Sequence, residues 1–185
     1  MDPVEQLQQV IDEAQRMIGS VRPLERARKT PCPGWDVRGL IYHMISTCAS
    51  FTAALQAASG SGGSTPDLGF DLAASYAEIT DAVLKEWRVP GVLDRMVTLR
   101  AGTMPGSVAI WILIADQLLH TWDLSKALGR PYMMPEDLAS TLLDLMHQQL
   151  SPAMRGPGKT FGPELACPED APIQDRLVAF SGRQP

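Results

Sequence analysis

Cysteine is scarce in this chain of 185 residues, and its three cysteines follow no CxxC spacing. An odd number of scattered cysteines indicates neither a disulfide framework nor a zinc finger. Cys48 falls among apolar residues at helical spacing, where we expect it to pack as a small hydrophobic side chain. Cys32 lies between two prolines in TPCPGW (30–35), so an exposed reactive thiol and a loop-filling side chain both stay open for it.

Net positive charge and long hydrophobic runs are also missing. The 16 Lys and Arg residues against 21 Asp and Glu residues give a net charge of −5, so we do not expect nucleic acid as a partner. The longest apolar stretch, VAIWILIA (108–115), is far shorter than the about 20 residues that a transmembrane helix needs. Residues 1–19 are acidic and amphipathic, unlike a signal peptide. The sequence therefore predicts a soluble cytoplasmic protein without a membrane partner.

Helical periodicity dominates what is present. Apolar residues recur at helical spacing in five segments, which we predict as helices over residues 3–18, 37–58, 71–87, 106–128 and 135–150. Asp36 is predicted as the N-cap of the second helix, and Gly129 as the residue that ends the fourth. IQDRLVAF (173–180) predicts a short closing helix. This pattern predicts an all-α bundle that forms one domain over residues 1–185.

The segments between the predicted helices are rich in glycine and proline. SGSGGSTPDLG (59–69) predicts a flexible loop. MVTLR (96–100) resembles a strand between turn signals, and we interpret it as part of a connector. Apart from the closing helix, residues 151–185 predict an irregular tail that packs on the bundle.

Asp116 and His120 stand one helical turn apart in ADQLLHTWDL (115–124). Side chains at this spacing share a helix face, and the neighbours on that face are apolar, which indicates a partly buried surface. A buried carboxylate is unfavourable unless a cation or a hydrogen bond compensates it. A divalent metal is one such cation, because a carboxylate and an imidazole at this spacing can bind it together. The alternative is a hydrogen bond between Asp116 and His120 without any metal.

A third ligand has to come from another helix. His43, in GLIYHMIS (39–46), borders the apolar face of the second helix, and facing helices of a bundle can bring it to Asp116 and His120. A hydrogen-bonded interior histidine is the alternative for His43. His147 is predicted to lie on the surface. We interpret Trp35, Trp111 and Trp122 as packing residues, and Asp123 as either a surface residue or an acceptor for a ligating imidazole.

Two separated segments, TPCPGWDVRGLIYHM (30–44) and DQLLHTWDLSKALGRP (116–131), resemble an actinobacterial family of metal-binding proteins. This family is related to the N-terminal domain of mycothiol-dependent maleylpyruvate isomerase, in the DinB-like superfamily. The tail from residue 161 to residue 185 is similar to the closing segment of the family. The resemblance implies a DinB-like four-helix bundle with an extra short C-terminal helix. It also implies a divalent-metal site formed by His43, Asp116 and His120, although the isomerase carries glutamate at the position of Asp116.

The resemblance further implies a metal-dependent enzyme of the mycothiol transferase or isomerase type, with a small thiol, mycothiol, as cosubstrate and an electrophilic substrate. Zinc is the first candidate ion, and nickel, iron and manganese suit the same ligands. The isomerase has a further C-terminal domain, and the about 35 residues after the bundle are too few for one. The isomerisation of maleylpyruvate is therefore not carried over.

Two other functions stay open at this point. One is a non-catalytic bundle that binds a metal or a small molecule, and the other is a purely structural bundle with an internal Asp–His hydrogen bond. The resemblance also points to a homodimer, although no exposed heptad pattern in the sequence indicates one.

Overall fold

The predicted helices are present in a computed structural model that describes residues 2–60, 71–156, 159 and 161–185. Among these residues there are six α-helices and one two-stranded sheet: α1 (Pro3–Gly19), α2 (Val37–Ser59), α3 (Leu72–Trp87), β1 (Met96–Leu99), β2 (Gly102–Pro105), α4 (Gly106–Leu128), α5 (Glu136–Gln149) and α6 (Ile173–Phe180). The loop predicted over residues 59–69 lies, from residue 61 on, outside the described residues.

The chain divides into two compact units, Met1–Arg130 and Pro131–Pro185. In the first unit, α1 and α2 each pack against both α3 and α4, which makes a four-helix bundle. In the second unit, α5 packs against the short helix α6. The predicted all-α fold, a DinB-like four-helix bundle with an extra short C-terminal helix, is confirmed. A single domain over residues 1–185, with the tail packed on the bundle, stays a prediction.

Side chains and glycines set the ends of the bundle helices. The carboxylate of Asp2 accepts a hydrogen bond from the backbone N–H of Val4 at 2.9 Å, and α1 begins there. The carboxylate of Asp36 accepts one from the N–H of Gly39 at 2.8 Å, so its prediction as the N-cap of α2 is confirmed. Gly129 ends α4 in the left-handed conformation, with φ +65°, as predicted.

The segment that we interpret as part of a connector does join α3 to α4, and the structure adds that this connector contains a short hairpin, which the interpretation did not assign. Strands β1 and β2 pair antiparallel from Met96 opposite Pro105 to Leu99 opposite Gly102. The hydroxyls of Thr98 and Thr103 lie 2.9 Å apart across the pair. The strand β1 forms here because a two-residue turn, residues 100–101, places β2 directly beside it.

The middle part of helix α4 is buried on every side. All residues from Gln117 to Ser125 are buried, on every side of the helix. A stretch that is buried all round places its polar side chains inside the protein, where each needs a partner. Of the helices that the structure describes, none combines the length and the apolar character that crossing a lipid bilayer requires.

Candidate metal centre

The packing of α2 against α4 brings the three predicted ligands together. Nε2 of His43 lies 3.0 Å from Oδ1 of Asp116, and Nε2 of His120 lies 3.7 Å from the same oxygen. One donor atom from each of the three residues lies within 4.8 Å of the other two. The two imidazole rings are 4.7 Å apart between centroids and are nearly perpendicular, at 83°.

The donor set of this cluster suits a divalent ion. Two imidazole nitrogens and one carboxylate oxygen are ligands that zinc takes in proteins, with bonds of about 2.0–2.2 Å. Around a tetrahedral ion such donors lie about 3.3–3.5 Å from one another. The observed separations of 3.0 Å and 3.7 Å lie on either side of that value. Only small movements of the side chains would be needed to enclose an ion.

The alternative of a hydrogen bond between Asp116 and His120 does not describe this geometry. Their separation of 3.7 Å is longer than a hydrogen bond. The carboxylate of Asp116 is hydrogen-bonded to His43 instead, across two helices. The spacing of one turn on α4 therefore places the pair side by side without joining them directly.

The cluster is open to solvent on one side. The side chain of His43 is 30 % exposed, that of Asp116 is 17 % exposed and that of His120 is 11 % exposed. The partly buried surface that the apolar neighbours predict is confirmed. A small molecule could therefore approach from the side of His43, while the α4 residues form the inner wall.

A buried glutamine fixes the orientation of Asp116. The side-chain N–H groups of Gln117 donate to Oδ2 of Asp116 at 3.0 Å and to the carbonyl O of Met44 at 3.2 Å. The hydroxyl of Tyr76 donates to Oε1 of Gln117 at 2.8 Å. Gln117 and Tyr76 are both fully buried. Because Oδ2 of Asp116 is held in this way, Oδ1 faces the two imidazoles. Sequence reasoning missed both residues.

Asp123 orients the second ligand of α4. Oδ2 of Asp123 lies 2.9 Å from Nδ1 of His120, and Asp123 is fully buried. When this carboxylate is ionised it can only accept, and Nδ1 then carries the hydrogen, which leaves Nε2 as the ligand atom that faces the cluster. Of the two interpretations that the sequence left open, the structure therefore supports the acceptor for the imidazole.

The loop before α2 places two further side chains beside the cluster. The ring of Trp35 lies 4.5 Å from that of His43 and 5.9 Å from that of His120, and the residue is 38 % exposed. Sγ of Cys32 lies 3.0 Å from Oδ2 of Asp123 and 3.7 Å from Nδ1 of His120. The sequence interpretation of Trp35 as a packing residue misses its position against the imidazoles. In the sequence, the one feature that could have indicated this position is that Trp35 directly precedes Asp36, the N-cap of the helix that carries His43.

Hydrogen bonds within the loop hold these two side chains in place. The backbone N–H of Cys32 donates to the hydroxyl of Thr30 at 3.2 Å, and this hydroxyl donates to the carbonyl of Trp35 at 2.9 Å. The N–H of Trp35 donates in turn to the carbonyl of Cys32 at 3.2 Å. Residues 30–35 therefore form a turn that is closed by its own hydrogen bonds.

A buried glutamate ties this region to the end of α4. Glu25 accepts hydrogen bonds from the guanidinium of Arg22 and from that of Arg130, each at 2.8 Å, and Arg28 lies 3.4 Å away. The hydrogen bonds from Arg22, supported by the charge of Arg130, hold the pKa of the Glu25 carboxyl well below its usual range. The segment that leads to Trp35 is thus anchored by a charged cluster.

The remaining candidate residues lie outside the cluster. His147 is exposed in the second unit, as predicted, and its ring lies 4.1 Å from that of Phe180. Cys48 is fully buried, so its prediction as a packing residue is confirmed. Burial, and to a smaller extent the carboxylate of Asp116, raises the pKa of the Cys48 thiol well above its ordinary value.

Comparison with known proteins identifies relatives over most of the chain. Residues 7–125 match the family of the mycothiol maleylpyruvate isomerase N-terminal domain. Two relatives from strains of Mycobacterium tuberculosis, Uncharacterized protein MT0763 and Uncharacterized protein Rv0738, are each 31% identical over 184 residues. These matches cover 99% of this chain and 98% of each relative.

Solved structures show the same fold. The crystal structure of the mycothiol-dependent maleylpyruvate isomerase matches with a TM-score of 0.63 at 16% identity, over 78% of this chain and 68% of that one. A histidine-to-alanine mutant of that enzyme matches with a TM-score of 0.64 at 17% identity, over 84% of this chain and 72% of that one. At such low identity the likeness concerns the fold alone.

Proposed function

Because this chain belongs to the family of the mycothiol maleylpyruvate isomerase N-terminal domain, we propose that His43, Asp116 and His120 bind a divalent metal. We further propose that the protein is a metal-dependent enzyme of the mycothiol transferase or isomerase type. The observation that supports this most is the convergence of three donor atoms, from two helices, within 4.8 Å of one another. Zinc matches this donor set, and nickel, iron or manganese would accept it as well.

The ligand count favours a catalytic site over a structural one. Structural zinc sites use four protein ligands, whereas catalytic sites use three and keep one position open. Here three ligands are available, and the cluster is open on the side of His43, whose side chain is 30 % exposed. When bound, a divalent cation would lower the pKa of a thiol or a water at its open position, which supplies a nucleophile at neutral pH.

The other residues of the site orient the ligands and limit access. Asp123 holds the hydrogen on Nδ1 of His120, and Gln117 holds the carboxylate of Asp116. The ring of Trp35 lies against His43 and keeps water from that face of the imidazole. Each ligand therefore has a neighbour that restricts its rotation, and such support raises the metal affinity of a site.

The substrate class follows from the family. The enzyme whose structure this chain resembles is dependent on mycothiol, and we propose the same small thiol as cosubstrate here, with an electrophilic partner. Part of the isomerase chain lies outside the matched region. For that reason the proposal extends to the thiol and to the type of reaction but not to maleylpyruvate itself.

Metal quantification tests the ligand set. Purified wild-type protein is expected to take up one zinc ion per chain. His120→Ala and His43→Ala should each weaken binding by more than about 100-fold, since changes in residues that only orient a ligand already cost about 10–100-fold. His147→Ala, which removes an exposed histidine of the second unit, is the matched control and should bind as wild type. Wild-type protein that takes up no zinc, or His120→Ala protein that binds it normally, would contradict the proposed site.

Substitution of the carboxylate tests the geometry further. Asp116→Glu should retain zinc, because the family resemblance implies a glutamate at this position and the longer side chain keeps the charge. Asp116→Asn should lose zinc, because an amide supplies no negative charge to the ion. Loss of zinc in both variants would show that the reach of the carboxylate is tightly set.

A thiol screen tests the reaction type. Zinc-loaded protein is incubated with mycothiol and a panel of electrophiles, and cobalt-loaded protein is titrated with mycothiol while its visible spectrum is recorded. We expect thiol-dependent turnover of at least one electrophile and a spectral change with the thiol. The absence of both, in protein that binds metal, would leave a non-catalytic metal-binding bundle.

A further inference from the structure

His120 presents its two ring nitrogens to two different groups of ligand atoms. Nε2 faces His43 and Asp116, whereas Nδ1 faces Asp123 at 2.9 Å and Cys32 at 3.7 Å. We propose that Cys32, Asp123 and Nδ1 of His120 form a second metal site, which binds a soft divalent cation through a thiolate. His120 is the only ligand that this site shares with the metal centre proposed above, and Asp123, which orients His120 there, becomes a ligand here. The proposal does not depend on the activity proposed above.

The three donor atoms already stand close to the arrangement that an ion would need. Sγ of Cys32 lies 3.0 Å from Oδ2 of Asp123, and all three donors lie within 4.8 Å of one another. Around a tetrahedral zinc-sized ion, a sulfur, a nitrogen and an oxygen ligand lie about 3.3–3.6 Å apart. The ion would therefore replace the two hydrogen bonds to Asp123 and lengthen these two separations by about half an ångström, whereas the 3.7 Å between Sγ of Cys32 and Nδ1 of His120 is already long enough.

Burial and chain connectivity favour an ion at this position. Asp123 is fully buried, so its carboxylate gains more from a nearby cation than an exposed carboxylate would. Cys32 is half-buried and is fixed by the hydrogen-bonded turn of Thr30 and Trp35, so its sulfur is held toward α4.

The two groups differ in the kind of ion that they favour. Two imidazoles and a carboxylate suit ions of intermediate softness, whereas a thiolate shifts preference toward softer ions. A neutral imidazole has one lone pair for a ligand, so the two groups use His120 one at a time. The same helix therefore offers an ion two alternative coordination sets.

Cadmium titration tests this second site, because thiolate ligation to Cd²⁺ gives a charge-transfer band in the ultraviolet. The band is expected in wild-type protein and in His43→Ala, which keeps all three proposed ligands. Cys32→Ser should lose it, and Cys167→Ser, the control for the other half-buried cysteine, should keep it. A wild-type protein that binds Cd²⁺ without the band, or a band that persists in Cys32→Ser, would overturn the proposal.

Alkylation in the unaltered protein gives a test that needs no variant. Iodoacetamide labelling followed by peptide mass spectrometry measures the rate at each cysteine separately. Cd²⁺ should slow the labelling of Cys32 by at least about tenfold, because a ligating sulfur is no longer available as a nucleophile. Labelling of Cys167 should not change. Equal rates at Cys32 with and without Cd²⁺ would also overturn the proposal, whatever the zinc affinity of the His43 group.

Discussion

The side-chain amide of Gln117 donates to Oδ2 of the neighbouring Asp116 at 3.0 Å, although the two residues are adjacent in the sequence. The same amide reaches the carbonyl of Met44 on α2 and the hydroxyl of Tyr76 on α3. One uncharged side chain therefore joins three helices directly beneath the candidate metal centre. The orientation of the central carboxylate depends on it.

Gln117→Leu should weaken zinc binding by about 10–100-fold, because Asp116 loses the partner that holds Oδ2. The free energy of unfolding should also fall by about 1–3 kcal/mol, because the substitution removes the buried hydrogen bonds of Gln117 with the carbonyl of Met44 and with the hydroxyl of Tyr76. Zinc titration and thermal unfolding measure the two effects. Gln9→Leu, at an exposed position of α1, is the matched control. A Gln117→Leu protein with wild-type zinc affinity would show that Asp116 needs no support.

Asp123→Asn should also lower zinc affinity by about 10–100-fold, because an amide no longer fixes the hydrogen on Nδ1 of His120. The imidazole ring should then be able to present either nitrogen to the cluster, and ¹⁵N NMR of the histidine side chains would report the mixture of tautomers. Asp81→Asn, at an exposed position of α3, should change neither quantity. A single unchanged tautomer in Asp123→Asn would argue against an orienting role.

Glu25→Gln should reduce stability in a pH-dependent way. The folded protein holds the pKa of Glu25 below its unfolded value of about 4.3, so the stabilisation is present above that pH and is lost as the pH falls. The difference in unfolding free energy between wild type and Glu25→Gln should therefore be largest near neutral pH and shrink below about pH 4. Urea unfolding at several pH values measures it, with the exposed Glu78→Gln as control. A difference that does not change with pH would mean that packing, and not the arginine cluster, stabilises this region.

Gly106→Ala should destabilise the bundle, because a Cβ atom at this position would overlap the backbone carbonyl of Val92. A backbone atom cannot rotate away, so we expect a loss of about 1–3 kcal/mol, as for other overpacked sites. Gly19→Ala provides the comparison, because nothing lies within 4 Å of its added methyl group. It should be neutral or slightly stabilising. Equal melting temperatures for the two variants would contradict the close approach of α4 to the preceding turn.

Capping residues and helical periodicity carry enough information to predict most of the helical fold. The start of α2 after Asp36 and the end of α4 at Gly129 are predicted correctly, because local side-chain chemistry determines both. The hairpin could not be predicted in the same way. Its second strand, Gly102–Pro105, begins with glycine and ends with proline, which are atypical of strands, and only the pairing with β1 makes it one.

In the candidate site too, some residues can be predicted from local sequence and others depend on contacts between segments. Asp116 and His120 follow from their spacing on one helix, whereas His43 is added by its place in the bundle and by the family resemblance. The contributions of Gln117 and Cys32 depend on which side chains face each other across helices and loops, and no spacing rule contains that information. The one local feature that could have indicated the role of Gln117 is its position next to Asp116 in an apolar helix, because a buried side-chain amide needs hydrogen-bond partners.

The connector before α2 is fastened at both of its ends to the helices that carry the proposed ligands. Glu25 joins it to Arg130 just after α4, and Asp36 joins it to the first turn of α2. Any change in the spacing of α2 and α4 would therefore pull on the segment that bears Cys32 and Trp35. Access to the imidazoles would then vary with the distance between these two helices.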